Sequence, residues 1–341
     1  MSRRIENRSE NLEANRLHLE VTQTTGKVII LSYSECFGIF SIQGGRLTGV
    51  YAMPKDTLCD EIILARVSNV KKDINAAFVK LDDDTEGFLK FSNIPDKYLP
   101  LKQGMLIPVK IVSDEQKGKK ISVSAKVPKS KLPQGWEHKS AFSVLFKPEN
   151  PLWDFIKKRI DCNEYDEIVT DSEEAAEALK EKTEKLRFYR EEKISLSELY
   201  SIKTKLSEAL SQKVYLKSGA YLVINHTEAL TVIDVNSGKN TPSKKAESGD
   251  VFFKINLEAA EEIALQLRLR NISGMILIDF INMESEEKEA LLIGAMNEYI
   301  GSDNVKVSVI DITKLGIMEI TRQKTDKPLS ETVLLLGERT R

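Results

Sequence analysis

The chain has 341 residues, 41% hydrophobic and 30% charged, the balance of an ordinary globular protein with room for two or more folding units. It contains no apolar run of about 18 residues, which excludes a membrane-spanning helix, and its charged start, Met1 to Arg16, lacks the apolar centre of a secretory signal. With 50 Lys and Arg against 52 Asp and Glu the net charge is −2, so a surface that binds nucleic acid everywhere is excluded and any such contact must be local.

Residues 1–25 are polar and read as a loose tail. Regular structure starts at Lys27. The run Val28-Ile-Ile-Leu31, the segment Gly38 to Gln43, the turn Gly44-Gly45 and the pair Val50-Tyr51 make a small antiparallel meander. Five short strands follow, over Ile62–Val70, Ala76–Leu81, Gly87–Phe91, Met105–Val112 and Lys120–Ala125. Short strands at this spacing, separated by longer loops, fit an OB-type barrel. Lys117, Lys119, Lys120, Lys126, Lys129 and Lys131 crowd the end of that region. They read either as a solvated loop and linker or as a rim that contacts phosphates. Phe78, Phe88 and Phe91 lie on barrel strands of the kind that present stacking faces to bases, while some of them must be core.

Pro128, Pro133 and Gly135 mark a boundary. Trp153, Phe155, Ile156 and Ile160 share a helical face, Glu167 begins a short strand, and Asp171-Ser-Glu-Glu opens a helix with an N-cap and an acidic first turn. Leu196 to Leu210 predicts one amphipathic helix. The last third alternates regularly. A hairpin over Val214–Ile224 and a strand over Ala229–Asn236 precede a polar loop, Ser237–Asp250. A helix over Asn256–Asn271, a strand over Met275–Ile281, a helix over Glu284–Tyr299 and a strand over Val305–Ile310 complete it. Nearly continuous apolar strands between helices indicate an α/β fold, a sheet covered by helices.

Few residues can carry chemistry. Cys36, Cys59 and Cys162 are far apart and form no CxxC pair, so neither a zinc clip nor a disulfide framework is expected, and a reducing cytoplasm is the natural compartment. His18, His138 and His226 have neither metal-ligand nor triad spacing. Acids and lysines remain. Asp234 in Thr231-Val-Ile-Asp-Val-Asn and Asp279 in Ile276-Leu-Ile-Asp-Phe-Ile-Asn each stand among apolar strand residues. The side-chain period of two puts Asp234 and Asn236 on one face. A buried lone carboxylate is costly and two repel each other, so a divalent cation would resolve both problems. Mg²⁺, with Mn²⁺ able to substitute, suits such an oxygen set and metal-assisted hydrolysis of a phosphodiester. The alternative is that each acid merely caps a loop or helix.

Three further features accompany the acids. Lys239 in Ser237-Gly-Lys-Asn could reach a phosphate or be an exposed loop lysine; the segment lacks the spacing of a phosphate-binding loop. Arg268 and Arg270 end the intervening helix, where they favour its C-terminus or grip an RNA backbone. Arg322, Gln323 and Lys324 fall after the last predicted strand as a polar patch with donors suited to phosphate.

Five long, collinear segments resemble the catalytic core of the ribonuclease E/G family. They are Val214 to Ile224, Thr227 to Lys239, Asn256 to Arg270, Gly274 to Met283 and Leu315 to Lys324. Ala76-Ala-Phe-Val and Gly87-Phe-Leu resemble that family's OB-type RNA-binding domain, and the likeness runs over roughly residues 26–330. It implies an α/β protein of several subdomains: an RNase H-like subdomain (26–58 and, after a linker, within 128–213), an inserted OB-fold barrel (59–127) and a DNase I-like catalytic subdomain (214–341). It also implies that Asp234 and Asp279 ligate Mg²⁺ with Asn236 in support. Phe78 and Phe88, with Lys119 or Lys120, would contact RNA, and Arg322 would be the arginine of the Thr-Arg-Gln motif. The implied activity is cleavage of single-stranded RNA in processing or decay, leaving 5′-phosphate and 3′-hydroxyl ends.

The chain also departs from the family. Ala125-Lys-Val-Pro-Lys leads almost directly to Pro151-Leu-Trp-Asp-Phe-Ile, so the family's sensor for a 5′-monophosphate is expected to be deleted or reduced to a linker. No Cys-Pro-x-Cys zinc link precedes Arg341, so no zinc is expected and the chain would be a monomer or a weak dimer. Three functions stay open. One is a minimal endoribonuclease that cuts A/U-rich single strands regardless of 5′-phosphorylation. The second is a non-catalytic RNA-binding or ribosome-assembly factor on the same scaffold, and the third is a DNA or nucleotide hydrolase.

Overall fold

The structure is a computed structural model that describes residues 26–114, 120–190, 193–239, 245–283 and 285–337; the polar start of the chain, expected as a loose tail, lies outside them. The chain divides into two compact units, one of residues 1–53 with 159–341 and one of residues 54–158.

The first unit opens with the expected meander, β1 (Lys27–Ser32), β2 (Cys36–Gln43) and β3 (Arg46–Pro54). Its turn is Gly44-Gly45, where both glycines have positive φ and so need no Cβ to clear.

The second unit holds β4 (Ile62–Lys71), β5 (Ala76–Lys80), β6 (Glu86–Lys90), β7 (Leu106–Ser113) and β8 (Ile121–Ser124). They are ordered β5-β6-β8-β7-β4, and β4 pairs back with β5, so the five strands close into an OB-like barrel. Closure removes the edge strands. Inward residues such as Val67, Val79, Leu89, Val109 and Val123 fill the barrel, and Phe91 packs against them. Residues after the barrel, expected as a short linker, are ordered. They add β9 (Val144–Phe146) antiparallel to β4, and Leu132 and Trp136 pack on Ile62 and Leu64 from the outer side. Helix α1 (Pro151–Arg159) follows.

Back in the first unit, β10 (Glu167–Thr170) lies parallel to β1, and α2 (Glu173–Leu179) opens within the predicted Asp171-Ser-Glu-Glu start, with Ser172 as its cap. Strand β11 (Leu186–Phe188) completes a five-stranded sheet, β11-β10-β1-β2-β3. The helix predicted over Leu196–Leu210 is two, α3 (Leu196–Leu199) and α4 (Ile202–Leu210), because Ser201 takes a left-handed φ of 51° between them. The apolar pattern runs through the break because Leu196, Tyr200, Ile202 and Leu206 all enter one core.

The second sheet of this unit comprises β12 (Lys213–Tyr215), β13 (Tyr221–His226), β14 (Leu230–Asn236), β15 (Gly274–Asp279), β16 (Val307–Ile312) and β17 (Ile317–Arg322), ordered β12-β13-β14-β15-β17-β16. Helices α5 (Lys245–Leu269) and α6 (Glu286–Ile300) pack on one of its faces, through Ala260, Ile263, Leu267, Leu292 and Met296 against Ile233, Ile278, Met318 and Ile320. Helix α5 starts eleven residues before the predicted Asn256, since Val251, Phe252 and Phe253 already pack on that core.

Besides β9 and β11, strand β17 and helix α7 (Leu329–Leu335) were not foreseen: β17 lies between β15 and β16, and α7 sends Leu329 and Val333 into the core of the first sheet. Among the described residues no helix is long and apolar enough to cross a membrane.

Candidate active site

The two acids singled out by the sequence meet. Strands β14 and β15 run parallel in a register that pairs Leu230 with Met275, Val232 with Leu277 and Asp234 with Asp279. Paired residues of parallel neighbours point to the same face, with the chains about 4.8 Å apart. Asn236 shares that face, and its Nδ2 donates to Asp234 Oδ2 at 2.8 Å. That bond fixes the carboxylate's rotation and engages one of its oxygens, so the other can take a ligand.

The expected burial of these acids is not observed. Thr231, Ile233, Val235, Ile276 and Ile278 point to the helices, whereas Asp234 is half-buried and Asp279 exposed on the opposite face. The strands read as buried on both faces because their outward residues are also apolar: Val232, Leu277 and Met275 hide the alternation, yet Met275 is 54% exposed. The desolvation argument for a cation therefore does not hold here. What supports a cation is the juxtaposition of two carboxylates and a carboxamide, an all-oxygen donor set of the kind Mg²⁺ takes with water and substrate phosphate completing its shell. Among the described residues no group of three or more His, Cys, Asp or Glu converges, so a protein-only cage is not what the geometry offers.

Two residues that sequence reasoning passed over shape this end of the sheet. Asn256 on α5 is fully buried; its Nδ2 donates to Ile281 O at 2.7 Å and its Oδ1 accepts from Ile281 N at 3.1 Å, clamping the peptide just beyond Asp279. An asparagine at a core position of a helix was the available signal. Gly238 has φ +63°, and a Cβ there would come within 2.5 Å of Gly219 O, so only glycine lets the loop after Asn236 close on the β12–β13 turn. Lys239, next along, is exposed.

The arginines expected at the site are placed elsewhere. The segment predicted to follow the last strand is strand β17, and its register turns Arg322 to the helix face, opposite the acids. Arg322 is 5% exposed and pairs with Asp303 at 2.8 Å, also donating to Asn271 Oδ1 at 2.7 Å and Ile272 O at 3.1 Å. The expected phosphate donor is thus an internal tie. A charge that would be costly to bury alone is matched by one partner and further hydrogen bonds. Arg268 ends α5 on that helix side, donating to Tyr299 O and Ser302 Oγ at the end of α6. Arg270 belongs to a chain that runs from Arg46 through Glu262 and Gln266 to the carbonyl of Ser211. Burial pushes its guanidinium pKa down to about 10, which still leaves it charged at neutral pH. Gln323 is exposed at the end of β17, its backbone N–H bonded to Lys306 O.

On the barrel, Phe78 and Phe88 are direct partners of β5 and β6 and lie outside the core, edge to face with ring centroids 5.8 Å apart. Lys120 stands 5.3 Å from the Phe78 centroid and forms an ion pair with Glu86, which also accepts from Ser68 at 2.8 Å. The hydrogen bond from Lys120 holds the Glu86 carboxyl below the usual range. Lys119 lies outside the described residues.

Comparison with known proteins agrees with the segments quoted above. A profile of the Ribonuclease E/G family matches residues 116–325. Ribonuclease G of Salmonella typhimurium is 37% identical over 187 residues, which is 54% of this chain and 38% of that protein. Ribonuclease G of Escherichia coli K12 is 35% identical over 195 residues, 56% of this chain and 39% of its own length. Ribonuclease E of Synechocystis is 43% identical over 140 residues, 41% of this chain and 20% of the relative. The matched stretch thus spans under two-fifths of each of these proteins.

Proposed function

The chain belongs to the Ribonuclease E/G family, and from that premise we propose that it is an endoribonuclease that cleaves single-stranded RNA in RNA processing or decay. The observation that carries the reading is the register of Asp234 with Asp279, steadied by Asn236, inside the segment that matches the family. In this reading the OB-like barrel is the RNA-binding part, the sheet β12–β17 with α5 and α6 is the DNase I-like catalytic part, and the sheet β1–β3 with β10 and β11 is RNase H-like.

Asp234 and Asp279 would hold a Mg²⁺ ion, with Asn236 fixing the orientation of Asp234. A divalent cation bound there supplies charge neutralisation and Lewis-acid assistance for hydrolysis, with 5′-phosphate and 3′-hydroxyl products. The chain's own residues contribute positioning. Asn256 fixes the backbone beyond Asp279, and Gly238 closes the loop that carries Lys239, whose exposed ammonium is the nearest candidate in sequence for a phosphate contact. On the barrel, Phe78 and Phe88 offer stacking faces to unpaired bases and Lys120 offers a cation beside them.

The test compares the purified chain with an Asp234→Asn/Asp279→Asn variant on a labelled unstructured RNA with Mg²⁺. Cleavage by the wild type alone supports the proposal. RNA binding without cleavage by either protein makes the chain a non-catalytic binder, and cleavage that persists in the variant places the activity elsewhere.

A further inference from the structure

A second feature shares the open face with the carboxylates. Tyr215 and Tyr221 are direct partners across β12 and β13, with ring centroids 6.1 Å apart and ring planes at 55°. Lys213 Nζ stands 3.6 Å from the Tyr221 centroid and 4.8 Å from that of Tyr215. Tyr215 is 68% exposed, a large ring kept in water beside a cation. Tyr221 is in turn the register partner of Asn236, and Val223 that of Asp234. Tyr215, Tyr221 and Asn236 therefore form a row across the sheet, and the next row along the same face contains Asp234 and Asp279. With strands about 4.8 Å apart, Tyr215 stands on the order of 10 Å from Asp234.

We infer that Tyr215, braced by Tyr221 and Lys213, is a stacking platform for one unpaired base of the RNA, with Lys213 taking the phosphate next to that base. The inference rests on the endoribonuclease reading and adds to it a base subsite on the catalytic sheet, separate from the phenylalanines of the barrel. Three properties favour a nucleotide as the occupant. The ring is flat and exposed. The charge beside it is positive, as a phosphate requires, and Lys217 is exposed in the same turn. The platform is also in register with the carboxylates, so a strand lying across the sheet meets both. A base within a duplex has both faces covered by its neighbours and cannot lie on Tyr215. The subsite thus selects unpaired RNA near the cut. It does not select base identity, since every base has a π-face.

The test uses the whole chain and an unstructured, labelled oligoribonucleotide, with binding measured in the absence of divalent metal. A parallel set of oligonucleotides carries one abasic nucleotide at each position in turn. For the wild type, one abasic position is expected to weaken binding about ten- to a hundredfold, the scale of a lost base–aromatic stack. Tyr215→Ala should weaken binding of the intact RNA by a similar factor and become insensitive to that abasic position. Tyr215→Phe should behave as wild type, and Lys213→Ala should lower the salt slope of binding by about one. Tyr215 lies on the surface, so its variants fold, which circular dichroism checks. If every abasic penalty is the same in wild type and Tyr215→Ala, the platform is wrong while RNA binding and cleavage stand. If the wild-type chain binds no RNA, the endoribonuclease reading fails and the platform with it.

Discussion

Asp234 and Asp279 face each other as register partners of β14 and β15, so two carboxylates share one face of the sheet with only the strand spacing between them. Like charges at facing positions cost a sheet about 0.2–1 kcal/mol. An arrangement that works against stability and recurs at one end of two strands is what a cation-binding function would require.

In metal-free buffer the Asp234→Asn/Asp279→Asn variant should be as stable as the wild type or more so, by about 0.2–1 kcal/mol, because the repulsion is gone. Millimolar Mg²⁺ should raise the thermal midpoint of the wild type and leave the variant unmoved, since only a ligand that binds the folded state stabilises it. Cleavage should fall about a thousandfold or more, the equivalent of several kcal/mol of lost transition-state stabilisation. Asn236→Ala should show a milder defect, about ten- to a hundredfold in activity, because it orients a ligand and is not itself the charged one. A variant pair that unfolds at the outset, or a wild type indifferent to Mg²⁺, would count against the metal assignment.

On the proposed reading Glu86, the ion-pair partner of Lys120, should compete with RNA for that lysine. Glu86→Gln removes one negative charge and the ion pair, so single-stranded RNA should bind about two- to fivefold tighter, the scale of an exposed ion pair. The salt dependence should steepen as Lys120 turns to phosphate. Fluorescence anisotropy across a salt series reads both, and unchanged affinity would show that Lys120 does not contact the backbone.

Arg322 and Asp303 form the most enclosed ion pair described here, with both side chains about 5% exposed or less. Arg322→Gln leaves Asp303 buried without its partner and should cost about 3–5 kcal/mol in urea unfolding. Arg322→Met with Asp303→Leu should cost less than either single change, because no uncompensated charge remains. RNA binding by the folded fraction should be unaffected. A fully stable Arg322→Gln chain with weakened RNA binding would restore Arg322 to the RNA-contacting role the motif implies.

Glu167 should shape the acid response of the first sheet. Burial would raise its carboxyl, but hydrogen bonds from Arg187 and Lys27 outweigh burial and hold it below the usual value of 4.5. Its contribution to stability is therefore fully present above about pH 4.5 and is lost as the pH falls through the lower folded value. Urea midpoints from about pH 7 down to about pH 3 should fall less steeply for Glu167→Gln than for the wild type. Parallel curves would mean that the Glu167 cluster does not govern acid stability.

Local pattern was enough to place most of the elements. The meander, the five barrel strands, the Ser172-capped helix and the alternation of β14, α5, β15 and α6 are all readable from hydrophobic periodicity and turn residues. So were Asp234, Asn236 and Asp279, because an acid inside an apolar strand stands out against its neighbours. Phe78 and Phe88 were legible as candidates but not as residues outside the core; Phe91, in the turn just after β6, packs against the barrel core.

What the sequence left open is which way a side chain points once strands are paired. Apolar residues on both faces of β14 and β15 concealed that, among the described residues, the helices pack on one face only, so the acids looked buried while Asp234 is half-buried and Asp279 exposed. Strand β17 was invisible as a strand because Arg322 occupies one of its core positions, and only its partners Asp303, Asn271 and Ile272, distant in sequence, make that tolerable. The sequence alone singled out Asp234 and Asp279 as candidates, through their local context. The tertiary structure alone decided that they stand in register, that Tyr215 and Lys213 share their face, and that Arg322 does not. Register and facing are set by hydrogen bonding and packing between segments far apart in the chain, and no local pattern encodes them.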